Sequence, residues 1–257
     1  MMGICPLASG SRGNSIFLKS KIAKILIDDG ISYNDLQYRL NCIGVKLKEI
    51  DAILITHDHK DHIEGLKMLL QKIDIPIFVN LETAREVYKY LEKLPKFQIF
   101  STNEEFEFKD ISIYPFSVPH DALDPVGFKI KIGDYKIGFC TDLGFVTSLV
   151  RNSLKDCDFL YLESNHDKNM VLSSKRPDYL KKRILGKLGH LSNEECEKLI
   201  AGILHPKLKH ICLAHISSEC NNRDLAFTAI KNLLIKNNHP AKLSIAYQKK
   251  ISDFIDF

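Results

Sequence analysis

Six short apolar runs in this sequence end on a residue that can bind a metal or act as an acid. Residues 25–27 run into Asp28, 52–56 into His57, 116–119 into His120, 139–141 into Asp142, 159–162 into Glu163 and 211–214 into His215. Buried strands fix backbone position, and side chains at their carboxyl ends can converge on one rim, where open α/β sheets place their sites. A single such residue would mean nothing. Their recurrence predicts one constellation assembled from distant segments.

Runs rich in Ile, Val, Phe and Leu at 16–18, 25–27, 52–55, 77–79, 111–118, 126–132, 136–140, 159–162, 211–214 and 243–246 read as strands. Segments of helical period lie between them at 34–40, 63–71, 83–91, 179–185, 193–203 and 223–235. Early hairpins followed by strand–helix alternation predict a mixed α/β architecture with helix-covered sheets. No repeat, low-complexity tract or Pro/Ser-rich linker interrupts the 257 residues, so one domain over 1–257 is expected.

Composition serves to exclude. With 45% hydrophobic and 26% charged residues, disordered, collagen-like and coiled-coil classes are out. A formal charge of +4 tolerates a phosphate-bearing partner but falls short of the footprint of a dedicated nucleic-acid binder. No apolar run approaches the roughly 18 residues of a membrane span, and the first residues lack a basic region followed by a long hydrophobic stretch. A cytoplasmic chain with no membrane partner is expected. The seven cysteines are scattered and never form a C-x-x-C pair, which argues against a disulfide framework and a cysteine zinc knuckle. Cys140 and Cys212 sit inside apolar runs and read as small buried hydrophobes.

The strongest local signal is Thr56-His57-Asp58-His59-Lys60-Asp61-His62, an H-x-H-x-D-H cluster between an expected strand and a helix starting near Asp61. In extended backbone His57 and His59 project to the same side and can grip one ion. Asp61 and His62, on the following turn, point elsewhere and can begin a second site. The spacing implies two metals.

This cluster resembles the signature of the metallo-β-lactamase superfamily. The resemblance implies an αββα sandwich of two mixed β-sheets flanked by helices, and it places further ligands at His120, Asp142 and His215. It assigns His57, His59 and His120 to a first metal, Asp61, His62 and His215 to a second, and Asp142 to the bridge. Residues 8–14, 120–122, 163–167, 189–193 and 213–217 look like the blocks of the YycJ-type (WalJ) branch, regarded as bacterial 5′ to 3′ DNA exonucleases. The chain departs from that branch at Asp29, where alanine is usual, at Arg176, where tyrosine is usual, and at Arg223, where a proline often follows the Asn pair. None of these is a proposed ligand.

Other candidates surround the ligands. The Gly/Ser turn of residues 9–14 can aim backbone N–H groups and Arg12 at a phosphate, which makes Ser11, Arg12 and Asn14 candidate substrate contacts, with Asn165 a fourth; an ordinary tight hairpin explains the same turn. Asp28 reads as the carboxylate that orients a ligating imidazole. Asp61, His166 and His190 are the candidate catalytic residues, His166 as an acid for the leaving oxygen or a substrate contact and His190 beside a helix start that can bind phosphate. Ser192 with Glu195 reads as a capping box. His205, His210 and His239 read as surface residues. Residues 175–183 form the best basic patch for phosphate contacts, and a solvated helix face explains that patch equally well.

The expected function is a dinuclear hydrolase, a 5′ to 3′ DNA exonuclease, with a hydroxide held between two Zn2+ or Mn2+ ions as nucleophile and DNA ends as partner. A thioesterase or lactonase of the same superfamily, or a metal-binding regulatory protein without turnover, stay open as alternatives. The family likeness alone implies a role in DNA repair. Oligomeric state is left open.

Overall fold

The computed structural model describes residues 2–91 and 94–257. Its strands are β1 (Gly3–Ala8), β2 (Ser15–Lys19), β3 (Lys24–Ile27), β4 (Ala52–Leu54), β5 (Pro76–Asn80), β6 (Lys96–Phe100), β7 (Phe106–Phe108), β8 (Ile111–Ser117), β9 (Val126–Ile132), β10 (Tyr135–Cys140), β11 (Phe159–Glu163), β12 (His210–Ala214), β13 (Lys242–Ile245) and β14 (Ile255–Asp256). Its α-helices are α1 (Tyr33–Cys42), α2 (Lys60–Ile63), α3 (Leu66–Lys72), α4 (Leu81–Tyr90), α5 (Ser148–Leu154), α6 (Lys168–Ser173), α7 (Asp178–Leu185), α8 (Asn193–Ile203) and α9 (Arg223–Lys236).

The strands form two mixed seven-stranded sheets, ordered β14-β1-β2-β3-β4-β5-β6 and β13-β12-β11-β10-β9-β8-β7. In the first, β14, β1, β2 and β3 pair antiparallel and β3 through β6 run parallel. In the second, β10 through β13 run parallel, and β9 joins β10 antiparallel. The expected two mixed sheets flanked by helices are therefore present. Asp28, His57, Asp142 and His215 follow strands with a parallel neighbour, and β4 (AIL) and the FLYL run of β11 are apolar and buried throughout, as strands covered on both faces must be.

The chain divides into two compact units, one comprising the residues up to Pro115 with Ala122–Pro125 and Ala246–Phe257, the other Phe116–Asp121 with Val126–Ile245. The first has a core of Leu7, Phe17, Leu26, Ile53, Leu66 and Ile77. In the second, Phe139 and Tyr161 stack with ring centroids 4.8 Å apart. Among the described residues no helix is long and apolar enough to cross a membrane. Cys140 and Cys212 are buried, as their apolar runs implied, and Cys42 is exposed.

Elements absent from the sequence expectation have local causes. β1 carries Gly3 and Pro6, residues that weaken a strand signal, and its register shifts between Pro6 and Ala8. β6 is a half-exposed edge strand and β7 spans three residues, too short for a period to register. The short helices α5 and α6 are marked by their caps rather than their periodicity: Thr147 and Asp167 accept from the backbone N–H groups of Val150 and Met170.

Candidate metal centre

In the first unit the donors occupy a short loop leaving β4. β3 and β4 pair in parallel, so Asp28 follows β3 close beside Leu54, whose carbonyl accepts from the Asp28 N–H at 2.8 Å. The Asp28 carboxylate receives the Thr56 N–H at 2.9 Å, the Thr56 hydroxyl at 2.9 Å and His62 Nδ1 at 2.7 Å. Complete burial pushes the Asp28 carboxyl up, and the His62 and Thr56 contacts oppose that. Thr56 has one hydroxyl proton and gives it to Asp28, so the same oxygen accepts from His57 Nδ1 at 2.9 Å. Asp28 thus fixes two imidazoles, His62 directly and His57 through Thr56, each with Nδ1 turned to an acceptor and Nε2 turned away from it. This is the orienting role expected of Asp28.

The remaining donors follow closely. The His57 ring lies 4.7 Å from that of His59 and 4.1 Å from that of His62. His59 is the residue before α2, and Asp61, in its first turn, brings Oδ2 to 3.7 Å from His62 Nε2. Gly30 makes the close approach possible: a Cβ there would stand 1.6 Å from the Asp61 carbonyl oxygen. Asn14 binds the loop from the other side. Its N–H donates to the Asp61 carbonyl at 2.8 Å, its side-chain amide faces His62 Nε2 at 3.0 Å, and its Oδ1 accepts from Gly10 N–H.

In the second unit His120, Asp142 and His215 follow separate strands, and Glu163, the fully buried last residue of β11, holds His215 together with His190, which lies between α7 and α8. One carboxylate oxygen accepts from His215 Nδ1 at 2.7 Å and His190 Nδ1 at 2.9 Å; the other accepts from the backbone N–H groups of Leu143 and Leu191. Burial works to raise the Glu163 carboxyl, but His190 and His215 outweigh it and bring it down to about 2. Asp142 Oδ1 lies 3.4 Å from His215 Nδ1, 3.6 Å from His190 Nδ1 and 3.8 Å from His120 Nε2. Asp142, Glu163, His190 and His215 each offer a ligand atom within 4.8 Å of the others. His120 donates from Nδ1 to the Gly189 carbonyl at 3.0 Å, which again turns Nε2 away from the acceptor.

Asp28, Asp142 and His215 follow β3, β10 and β12 and share a left-handed backbone, with φ of 60°, 55° and 51°. Such conformations cost energy in residues other than glycine and collect at functional sites.

The profile of the β-lactamase superfamily domain matches residues 23–216. The chain belongs to this superfamily. Exodeoxyribonuclease YycJ of Bacillus anthracis is 33% identical over 230 residues, 89% of this chain and 87% of that protein. Exodeoxyribonuclease WalJ of Streptococcus pneumoniae is 36% identical over 251 residues, 96% of this chain and 92% of that protein. Among solved structures, the metallo-β-lactamase fold protein YhfI from Bacillus subtilis superposes with a TM-score of 0.73 at 14% identity, covering 98% of this chain and 100% of that one. Zn(2+)-bound PqqB from Methylobacterium extorquens gives a TM-score of 0.70 at 16% identity, covering 98% and 100%. At those identities the two structures speak to the fold alone. The superfamily member described here is homologous to named exodeoxyribonucleases and carries a His/Asp cluster compatible with a metal site.

Around the donors of this β-lactamase superfamily chain, the other expected site residues fall into two groups. Ser11 and Arg12 are exposed on the β1–β2 turn. Asn14 and Asn165 are buried and bonded internally, Asn165 Nδ2 donating to the His215 carbonyl at 2.8 Å. His166 is 2% exposed, its Nδ1 has no hydrogen-bond partner among the described residues, and burial pushes the ring down to about 4. Ser192 caps α8 through Glu195 N–H, while the Glu195 side chain turns to Lys198, so only half of the expected capping box forms. His205, His210 and His239 are half-buried rather than surface residues. Their Nε2 atoms bond the Cys157 carbonyl, the Ser244 hydroxyl and the His205 carbonyl. In the basic patch, α7 has no buried residue, Arg176 pairs with Glu219 and Arg183 with Asp121. Glu163 was visible in the sequence as a strand-end acid, but nothing there marked it as the anchor of two histidines.

Proposed function

We propose that this chain is a dinuclear metal-dependent 5′ to 3′ exodeoxyribonuclease acting on DNA ends in the cytoplasm, in DNA repair. In this reading His57, His59 and His120 would hold one divalent ion, Asp61, His62 and His215 would hold a second, and Asp142 would serve both. The observation that carries it is the shared hydrogen-bonding pattern of the imidazoles. His57, His62, His120 and His215 each commit Nδ1 to a hydroxyl, carboxylate or carbonyl, which leaves Nε2 as the basic atom, the arrangement in which histidine serves a metal. Neutral imidazoles with carboxylates suit Zn2+ or Mn2+.

When bound, divalent ions supply an acidified water as nucleophile and offset charge building on the phosphate oxygens. The chain's own groups do the rest. Asp61 is half-exposed and can take the proton of the attacking water. His190, with Nδ1 held 2.9 Å from the Glu163 carboxylate, is suited to carry a proton to the leaving oxygen. His166, kept neutral at physiological pH by burial, serves as a hydrogen-bond partner for substrate rather than as a cationic acid. Ser11 and Arg12 meet the substrate directly. Asn14 and Asn165 act on it through the donors they brace.

The test is release of label from 5′- and 3′-labelled linear duplex and single-stranded DNA by metal-stripped protein refilled with Mn2+ or Zn2+. Metal-dependent release from the 5′ end, abolished in His59→Ala and Asp142→Ala, is the expected result. A protein that binds two metals yet cleaves no DNA would refute the reading and turn attention to thioester and lactone substrates.

A further inference from the structure

Beside the donor loop of the first unit lies a cleft of ≈ 630 Å³, within the size range of small-ligand sites. It shares Gly30 and Gly65 with the backbone that braces the donors, but no proposed metal ligand lines it. One wall is cationic, formed by Arg12, Gln248 and Lys249. Gln248 holds this wall together. Its Oε1 accepts from Arg12 N–H at 2.9 Å, its Nε2 donates to the Gly13 carbonyl at 2.8 Å, and its own carbonyl accepts from Arg39. The Arg12 and Lys249 side chains are exposed and make no hydrogen bond or ion pair among the described residues.

The other walls differ. Tyr33, from the first turn of α1, and Tyr90, at the end of α4, are half-buried aromatics lining the cleft, each packed against the first unit's core. Tyr90 directs its hydroxyl to the Glu64 carbonyl at 3.4 Å. Asp35 and Glu64 contribute negative charge, and Asp35 is held by the Ser32 hydroxyl at 3.0 Å. Arg39 and Lys67 also line the cleft, so its basic side chains outnumber its acidic ones, and the exposed pair Arg12 and Lys249 forms the wall to which an anion is drawn. Two aromatic side chains stand ready for a flat apolar group. A cation pair, a polar backbone edge and aromatic platforms in one groove are the parts that grip single-stranded nucleic acid.

We propose that this cleft is a nucleotide subsite for a single DNA strand, Arg12 and Lys249 taking backbone phosphate and Tyr33 and Tyr90 stacking against base. It rests on the nuclease reading and adds the place where the strand is held beside the scissile bond. The site depends on no bound metal, so binding can be read apart from turnover.

The experiment measures fluorescence anisotropy of a 5′-phosphorylated, fluorescein-labelled single-stranded DNA oligonucleotide on the full chain in EDTA, across a salt series. Turnover in Mn2+ is followed in parallel. Each phosphate contact on a single strand contributes about 0.7 to the slope of log K against log salt. The double variant Arg12→Ala/Lys249→Ala should flatten that slope by about 1.4 and weaken binding about 25-fold at ~0.1 M salt. A control of the same charge change, Lys155→Ala/Lys207→Ala, should shift binding far less. Tyr90→Leu should weaken binding about fivefold or more, and Tyr90→Phe, which keeps the ring and its packing, should not. An unchanged slope in the Arg12/Lys249 variant, or an equal loss in the Lys155/Lys207 control, overturns the subsite while wild-type cleavage leaves the nuclease reading standing. Absence of both binding and cleavage by the wild-type chain defeats the nuclease reading itself.

Discussion

The two donor sets solve one problem in opposite ways. In the first unit the imidazoles are neighbours in sequence, and the anchor, Asp28, reaches only His62 directly, with His57 held at one remove through Thr56. In the second unit the donors are scattered over strand ends, and a single buried carboxylate, Glu163, gathers His190 and His215 while also receiving two backbone N–H groups. A contiguous loop can rely on its own turn geometry, braced by Gly30 and Asn14, to set donor spacing. A dispersed set has no such local constraint and depends on a common acceptor. Damage to the anchor should accordingly be more costly in the second set than in the first.

The largest effect is expected from Glu163→Gln. It leaves the volume intact but removes the charge shared by His190 and His215, and loss of such an anchor weakens metal binding about 10–100-fold. The proposed ligand His215 is released, and His190 loses the acceptor that positions it as proton carrier, so turnover should fall further than metal affinity. Metal stoichiometry and competition against a chromophoric chelator would measure it, and unchanged circular dichroism would show that the fold survives. Asp28→Asn should cost near the lower end, about tenfold. The asparagine carbonyl can still accept from Thr56 or His62, and the loop keeps its backbone bonds. If Asp28→Asn proved the more damaging of the two, the contrast between a self-supporting loop and a carboxylate-gathered set would be wrong.

A smaller effect sharpens the same contrast through pH. Glu163 is held at about 2 against an ordinary 4.5, a depressed acid. The stability it lends the metal-free protein is therefore fully present above about 4.5 and lost as pH falls toward about 2. His166 and His210 are held at about 4 against 6.5, chiefly by burial, so the unfolded chain binds protons first and stability declines as pH falls from 6.5 to about 4. Urea midpoints of metal-free protein from pH 7 to 3 should fall in two successive stages. Glu163→Gln should flatten the lower stage, and His210→Asn should soften the upper one modestly.

How much of this was legible in the sequence follows the same divide. His57, His59, Asp61 and His62 announce themselves because the spacing of one loop is written in consecutive residues. Asp28 was readable as an orienting carboxylate because it ends an apolar run. His120, Asp142 and His215 were visible as strand ends, and their role came from family resemblance, since strand order in a sheet is not encoded locally. Glu163 carried the same strand-end mark as Asp28, but its partners lie 27 and 52 residues away in the chain, beyond any periodic signal. Asn14 and Asn165 look in the sequence like polar loop residues open to substrate. Burial and internal hydrogen bonds give them bracing positions that polarity alone does not reveal.

The left-handed backbone at Asp28, Asp142 and His215 also limits how this centre could evolve. Asparagine, aspartate and histidine enter that conformation several-fold more readily than other side chains, glycine aside, and β-branched residues scarcely enter it. Substitution at these three positions is thus filtered by the main chain before any question of metal affinity arises. Exchanges among Asp, Asn and His are open there, while a change to Glu or Cys meets a conformational barrier of about 1–2 kcal/mol. The strand ends hold their residues in place and also restrict the side chains that mutation can offer there, favouring imidazole and short carboxylates over thiolates.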